Sequence, residues 1–274
     1  MKTNNFKITI FYLAILNLFI CGKLFSQTSA DDLAKQLSNP VANLISVPFQ
    51  FNFQYNINDN TDNSYNGYKL LLNFQPVIPV SLSKGLNLIN RVIVPVMTQK
   101  DVTSKDAKEE GLGDILYTPY FSPSNTKLIV GIAPAFSFPT ATNDLLGSKK
   151  FNLGAGVVVL GQPDKWTLGG LVTQFWSVAG DDERQDVSTL FVQPFISYGF
   201  KGGFTLGVLS ENTYDWKNKM LVSGLVQLTM SQVFKIAGKQ VASIGLYPVG
   251  YYANKNIKKP EWGVRTVLTF IFPK

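Results

Sequence analysis

Residues 47–56 read Val-Pro-Phe-Gln-Phe-Asn-Phe-Gln-Tyr-Asn. Side chains of an extended strand alternate between its two faces with a period of two. Val47, Phe49, Phe51, Phe53 and Tyr55 therefore share one face, and Pro48, Gln50, Asn52, Gln54 and Asn56 share the other. The result is a ribbon with one oily face and one face of mostly uncharged amides. In a soluble sheet the oily face meets a second sheet. In a membrane barrel it meets lipid, while the amide face meets a wet lumen.

The rest of the chain decides between the two. Candidate strands fall at about 46–56, 67–81, 86–97, 113–122, 127–138, 151–161, 165–178, 187–200, 203–215, 219–231, 240–252 and 261–272. Several alternate well: Tyr68, Leu70, Leu72, Phe74, Ile78 and Val80 oppose Lys69, Asn73, Gln75 and Ser81. Every second connection is short, as at 83–85, 123–125, 162–164, 201–203 and 235–239, and the others are mostly longer and more polar. Bacterial outer-membrane barrels have short periplasmic turns and longer outer loops, and an even strand count returns both chain ends to the periplasm. The expectation is an all-β fold, an antiparallel transmembrane β-barrel of about 12 strands with a short N-terminal helix. Prolines recur inside the expected strands, at Pro76, Pro79, Pro95, Pro119, Pro134, Pro194 and Pro248. Proline cannot donate to a ladder, so bulges or kinks are expected at these sites.

Composition supports this reading and removes several chemistries. The 274 residues are 45% hydrophobic and only 16% charged, against about 25% charged in ordinary soluble domains. Residues 1–26 read as a secretory signal, with Lys2 and Lys7 before an apolar run from Ile8 to Ile20 and a cut before Gln27. The only cysteine, Cys21, lies inside that signal and there is no histidine, so the mature chain has no disulfide, thiolate site, imidazole base or histidine-rich metal site. Removing the signal's three lysines from the 25 basic residues leaves 22 against 18 acidic ones, a net +4. No basic block points to nucleic acid.

After the signal, residues 27–45 form a separate segment and 46–274 the barrel. Leu33, Leu37, Val41 and Leu44 repeat at helical spacing, with Pro40 interrupting or kinking the run. This helix is either packed at the rim or a plug that enters the barrel. Gln50, Asn52, Gln54, Lys69, Asn73, Gln75, Arg91, Asp114, Glu211, Asp215 and Arg265 fall on the inward face. An Arg or Lys facing lipid at mid-membrane costs about 2–4 kcal/mol, so the charges belong inside, as a filter for solutes or as pairs that hold a closed interior together. The acids Asp181, Asp182, Glu183 and Asp186 make an outer acidic loop, solvated or cation-binding.

Five motifs, together with the run from Asp32 through Phe53, carry a resemblance. They are Asn73-Phe-Gln-Pro-Val-Ile-Pro79, Gly111-Leu-Gly-Asp114, Phe138-Pro-Thr-Ala-Thr142, Trp176-Ser-Val-Ala-Gly-Asp-Asp182 and Tyr214-Asp-Trp216. The chain resembles the bacterial outer-membrane proteins labelled "neuromedin U", of the phenol meta-pathway outer-membrane barrel family. The resemblance covers nearly all of the mature chain. It implies an outer-membrane β-barrel with a transport role, and no catalytic motif carries over. The ending Phe272-Pro-Lys274 departs from the terminal aromatic usual in such barrels. The leading expectation is a monomeric outer-membrane channel for small, hydrophobic or aromatic solutes. It needs no cofactor and no metal, and its partners are outer-membrane lipids and the barrel-assembly machinery. A closed structural barrel and a lipid-acting outer-membrane enzyme are the alternatives.

Overall fold

A computed structural model describes residues 29–57, 66–124, 126–252 and 258–273; the expected signal lies outside them. The first element, α1 (Ala30–Leu37), starts where the Ser29 hydroxyl accepts the Asp32 amide at 3.1 Å. Asp31 and Asp32 in the first turn and Lys35 in the last complement the helix dipole. The helix is shorter than the spacing of its leucines suggests. It stops at Ser38, whose amide and hydroxyl both return to the Ala34 carbonyl, because Pro40 forbids another turn. Residues 38–44 instead turn around Asn39, whose side chain accepts the Val41 amide at 2.9 Å.

Fourteen strands follow: β1 (Ile45–Ile57), β2 (Gly67–Phe74), β3 (Val77–Ser83), β4 (Leu86–Lys100), β5 (Lys108–Leu112), β6 (Ile115–Pro123), β7 (Leu128–Phe138), β8 (Lys150–Gly161), β9 (Trp166–Gly180), β10 (Ser188–Gly199), β11 (Phe204–Asp215), β12 (Met220–Ile236), β13 (Gln240–Tyr251) and β14 (Trp262–Phe272). Each pairs antiparallel with its neighbours, and β1 closes on β14 in continuous register from Ile45↔Phe272 to Tyr55↔Trp262. The barrel has twelve staves because two staves are each built from two strands. β2 and β3 are one stave broken at Gln75–Pro76, both lying along β4. β5 and β6 are another, broken at Gly113–Asp114. Residues 108–112, expected in a loop, thus extend the wall upward against the end of β4.

The alternation settles which face is wet. Outward residues such as Phe51, Leu70, Ile132, Leu168, Val208 and Ile244 are large, apolar and exposed, Ile132 at 58%. An apolar band around the whole molecule is untenable in water and is the surface a bilayer requires. Aromatic clusters flank it: Trp166, Tyr198 and Phe200 near the short turns, and Tyr55 with Trp262, and Tyr214 with Trp216, near the long loops. Each full stave has at least 11 residues, enough for the roughly 9–11 that a tilted spanning strand needs.

The prolines do not sit at the bulges. Register shifts occur at Gln54–Ile57, Ser81–Ser83, Phe151–Asn152 and Thr213–Tyr214. Pro76 marks the stave break. Pro194 keeps its partner Gly170 on β9, while pairing lapses toward β11 without any change of register. Pro248 does the same between β14 and β12. A strand residue points its N–H and C=O toward a single neighbour, so a proline weakens one seam and spares the other. Pro119 keeps Asn90 and Pro134 keeps Ala155. Their lapses fall on the same seam, β6–β7, where pairing stops at Tyr117↔Phe136 and resumes at Phe121↔Ile132.

Candidate solute site inside the barrel

The short-turn end of the lumen is packed like a core. Leu33, Ala34, Ala42 and Leu44 join Val233 and Ile271 in one apolar cluster, and Val41 joins Ile89, Tyr120, Val158, Leu160 and Leu171 in another. Leu33 and Leu44 are each 3% exposed, and Val41 is 4%. Leu37 packs at the edge of the first cluster. Polar ties fix the segment to the turns. Lys35 Nζ donates to the Asp164 carbonyl at 2.8 Å, Gln162 Nε2 to the Lys35 carbonyl at 2.8 Å, and the Gly203 amide to Asp31 Oδ1 at 2.9 Å. Gly131 makes room for this seat: a Cβ there would lie 3.1 Å from Val41 and 2.8 Å from Val158. The N-terminal segment thus crosses the mouth of the barrel from the β10–β12 side to the β4–β8 side.

Beyond it lies a cavity of about 800 Å³. Gln50, Asn52, Gln54, Asn73, Gln75, Arg91, Glu211 and Arg265 all line it. On the other side of residues 39–43 lies a second cavity of about 680 Å³, lined by Asn39, Asn43, Ser81, Asn87 and Ser124. Asn39 borders both.

Inside the main cavity one charge pair dominates. Arg265 holds Glu211 with two hydrogen bonds, 2.7 Å from Nη1 and 3.0 Å from Nη2, and donates from Nε to Asn52 Oδ1 at 2.6 Å. The pair links β14 to β11 over the intervening staves and is mostly buried, with side chains 10% and 20% exposed. Arg91, on β4, stands diametrically opposite β11 in the strand order. Its Nη2 donates to Gln75 Oε1 at 3.2 Å.

Three residues expected in the lumen do not line the cavity. Lys69 faces inward by register, between Gln54 and Gln99, but above the cavity. Asp114 sits at the β5–β6 break and organises the loop after β7, accepting from the Ala141 amide, the Ser148 amide and the Ser148 hydroxyl. Asp215 caps the β11–β12 turn through the amides of Lys217 and Asn218. Both aspartates lie at strand ends, where inward and outward cease to have meaning.

Sequence reasoning also missed the inward aromatics. Tyr120, Phe175, Phe191, Phe195, Tyr247 and Tyr251 line the cavity. Small neighbours are the signal that could have found them. A Cβ on Gly245 would lie 2.6 Å from Tyr247 Oη, and one on Gly263 would lie 2.9 Å from Tyr251 Oη. The tyrosines lie flat against the glycine-bared wall.

The acidic outer loop is occupied by cations of the chain itself. Asp186 pairs with Lys150 at 3.4 Å and Lys217 at 3.6 Å, and Asp181 with Lys149 at 3.7 Å. Among the described residues no group of three acidic, histidine or cysteine side chains is placed to hold a metal. The Ser177 hydroxyl first, then Lys150 and Lys217, hold the Asp186 carboxyl below its ordinary value of 3.8. A depressed carboxylate contributes stability above the unfolded value and loses it as pH falls through and below that value. Hydrogen exchange should therefore find the Val187 amide, bound to Ser177 Oγ at 3.0 Å, protected at pH 6 and loosened below about pH 4. Asp186→Asn should loosen it at both.

No family model matches the chain, and no curated protein matches it in sequence. Solved structures do match in fold. An outer-membrane channel from Pseudomonas putida F1 superposes with a TM-score of 0.69 at 12% identity, covering 84% of this chain and 96% of that one. The outer membrane phospholipase A of Escherichia coli gives 0.49 at 11% identity, over 90% and 99%. The P. putida toluene transporter TodX gives 0.44 at 9%, over 90% and 93%. The first of these, at 12% identity, shows a likeness of fold alone: a barrel of the outer-membrane type.

Proposed function

We propose that this chain is an outer-membrane channel for small solutes, exported by the signal at residues 1–26 and stopped at its periplasmic end by its own N-terminal segment. The observation that carries the reading is the cavity of about 800 Å³, lined by both polar and apolar side chains inside a closed barrel, that ends on a segment of the chain rather than on the wall. Eight-strand barrels fill with side chains, whereas sixteen strands leave a water channel; twelve staves leave a narrow one. The apolar belt and aromatic clusters support a bilayer setting, and the fold likeness to the P. putida channel supports membership of the phenol meta-pathway barrel family. A non-enzymatic role goes with this reading. The closed structural barrel competes on one observation, the burial of Leu33, Val41 and Leu44 in the mouth.

Planar-bilayer recording decides between them. The mature chain should give small, discrete conductance steps, and proteoliposomes containing it should swell in small neutral solutes. A folded, heat-modifiable barrel that stays silent both intact and without residues 27–44 would overturn the channel and leave the structural barrel.

A further inference from the structure

The cavity carries three charged side chains, Arg91, Glu211 and Arg265. Two of them cancel: Glu211 gives both carboxylate oxygens to Arg265. Arg91 is left as the net charge of the cavity. A guanidinium carries five N–H donors in a planar fork, and Arg91 spends one of them, on the neutral oxygen of Gln75. Among the described residues no carboxylate lies within ion-pair distance of it. A cation withdrawn into a barrel without a counter-charge is costly, and a planar fork matches a carboxylate bidentately.

The surroundings of Arg91 are not those of a simple ion site. Its neighbours in register are Val77 and Thr118, and Val77 packs with Phe191 and Phe195 against the buried apolar cluster that contains Tyr120 and Leu171. One edge of the cavity therefore offers a charge-pairing fork, and the adjoining wall offers aromatic and aliphatic surface. Across the lumen the Glu211 carboxylate is neutralised and cannot attract a cation.

We propose that Arg91, with Gln75 and the Val77–Phe191–Phe195 wall, forms a binding site for an organic monoanion: a carboxylate head on a compact apolar body. The site deepens the channel reading by naming the class of solute, and it rests on that reading only for the claim that the solute passes through.

The test is binding to the full mature chain, folded in detergent, by equilibrium dialysis at low salt. The probes are benzoate, benzyl alcohol and benzylamine, which share size and ring but differ in charge, and acetate, which has the charge without the body. Benzoate should bind about tenfold or more tighter than benzyl alcohol, as a charge-assisted fork requires. Benzylamine should not bind, and acetate should compete about tenfold or more weakly. Arg91→Gln should abolish the preference for benzoate, and Arg91→Lys should keep part of it. Equal binding of benzoate and benzyl alcohol overturns the proposal, as does benzoate binding unchanged in Arg91→Gln. Acetate displacing benzoate at equal concentration also overturns it, by reducing the site to a general anion site. Should Arg91→Gln fail to fold, the four probes on the unaltered chain still decide. Binding in detergent needs no conduction. A chain that discriminates among the probes but is silent in bilayers sinks the channel alone, and one that conducts without discriminating sinks this site alone.

Discussion

Removing residues 27–44 raises single-channel conductance by about tenfold or more, because a twelve-stave lumen is wider than the filled eight-strand interior. The deletion leaves the wall whole. Pairing of β1 with β14 begins at Ile45, so the closing seam loses nothing. What goes is the set of side chains that fills the mouth: Leu33, Ala34, Val41, Ala42 and Leu44. Fully burying a leucine or valine is worth about 1.5–3 kcal/mol, so the segment is seated firmly and does not leave by thermal accident. A milder variant separates obstruction from loss of chain. Leu33→Asp with Leu44→Asp places two charges in the apolar cluster and should also open the pore, while leaving the residue count unchanged. Equal conductance of the intact and shortened chains in bilayers would move the segment from plug to ornament at the rim.

Glu211→Gln costs about 3–5 kcal/mol of barrel stability, the usual cost of breaking a buried pair from one side. Arg265 then keeps its bond to Asn52 but faces the cavity with no counter-charge. Two effects should appear together: a lower urea midpoint for unfolding from detergent, and a reversal potential shifted toward anion selectivity. The double variant Glu211→Gln with Arg265→Gln should recover much of the stability and lose the shift, since neither charge is then stranded. A Glu211→Gln barrel as stable as the parent would mean that the lumen is wet enough to hydrate Arg265 fully.

Much of this architecture is legible in the residues, and what is not has physical reasons. The period of two in Val47–Asn56 assigns faces correctly, since a one-residue slip would turn every side chain over. Gln50, Asn52 and Gln54 therefore line the cavity, with Phe49, Phe51 and Phe53 on the other face. Period alone says nothing of depth. Asp114 and Asp215 keep the alternation but lie at stave ends, where they bind loop amides. The break at Pro76 is invisible to hydropathy, because the stave resumes on the same face after it. At Gly113 the register along β4 slips by one residue, so the inward positions change from odd, at Glu109 and Gly111, to even, at Leu116 and Thr118. Pairing across the lumen is also hidden. Glu211 and Arg265 are 54 residues apart in sequence, and only closure of the barrel brings β11 and β14 within reach of one another. The inward tyrosines were missed because a lumen was expected to be polar. This one places rings against glycines on neighbouring or alternate positions.

The facing lapses of Pro119 and Pro134 also bear on how the barrel fails mechanically. The closing joint, where β1 meets β14, is zipped along its whole length. The loosest joint lies mid-chain, at β6–β7, where proline withholds an amide from each side. Pulled or heated, such a cylinder tears along that line rather than reopening where it was sealed. It spreads into a single curved sheet whose centre is the closing joint, with the first and last strands still bound together.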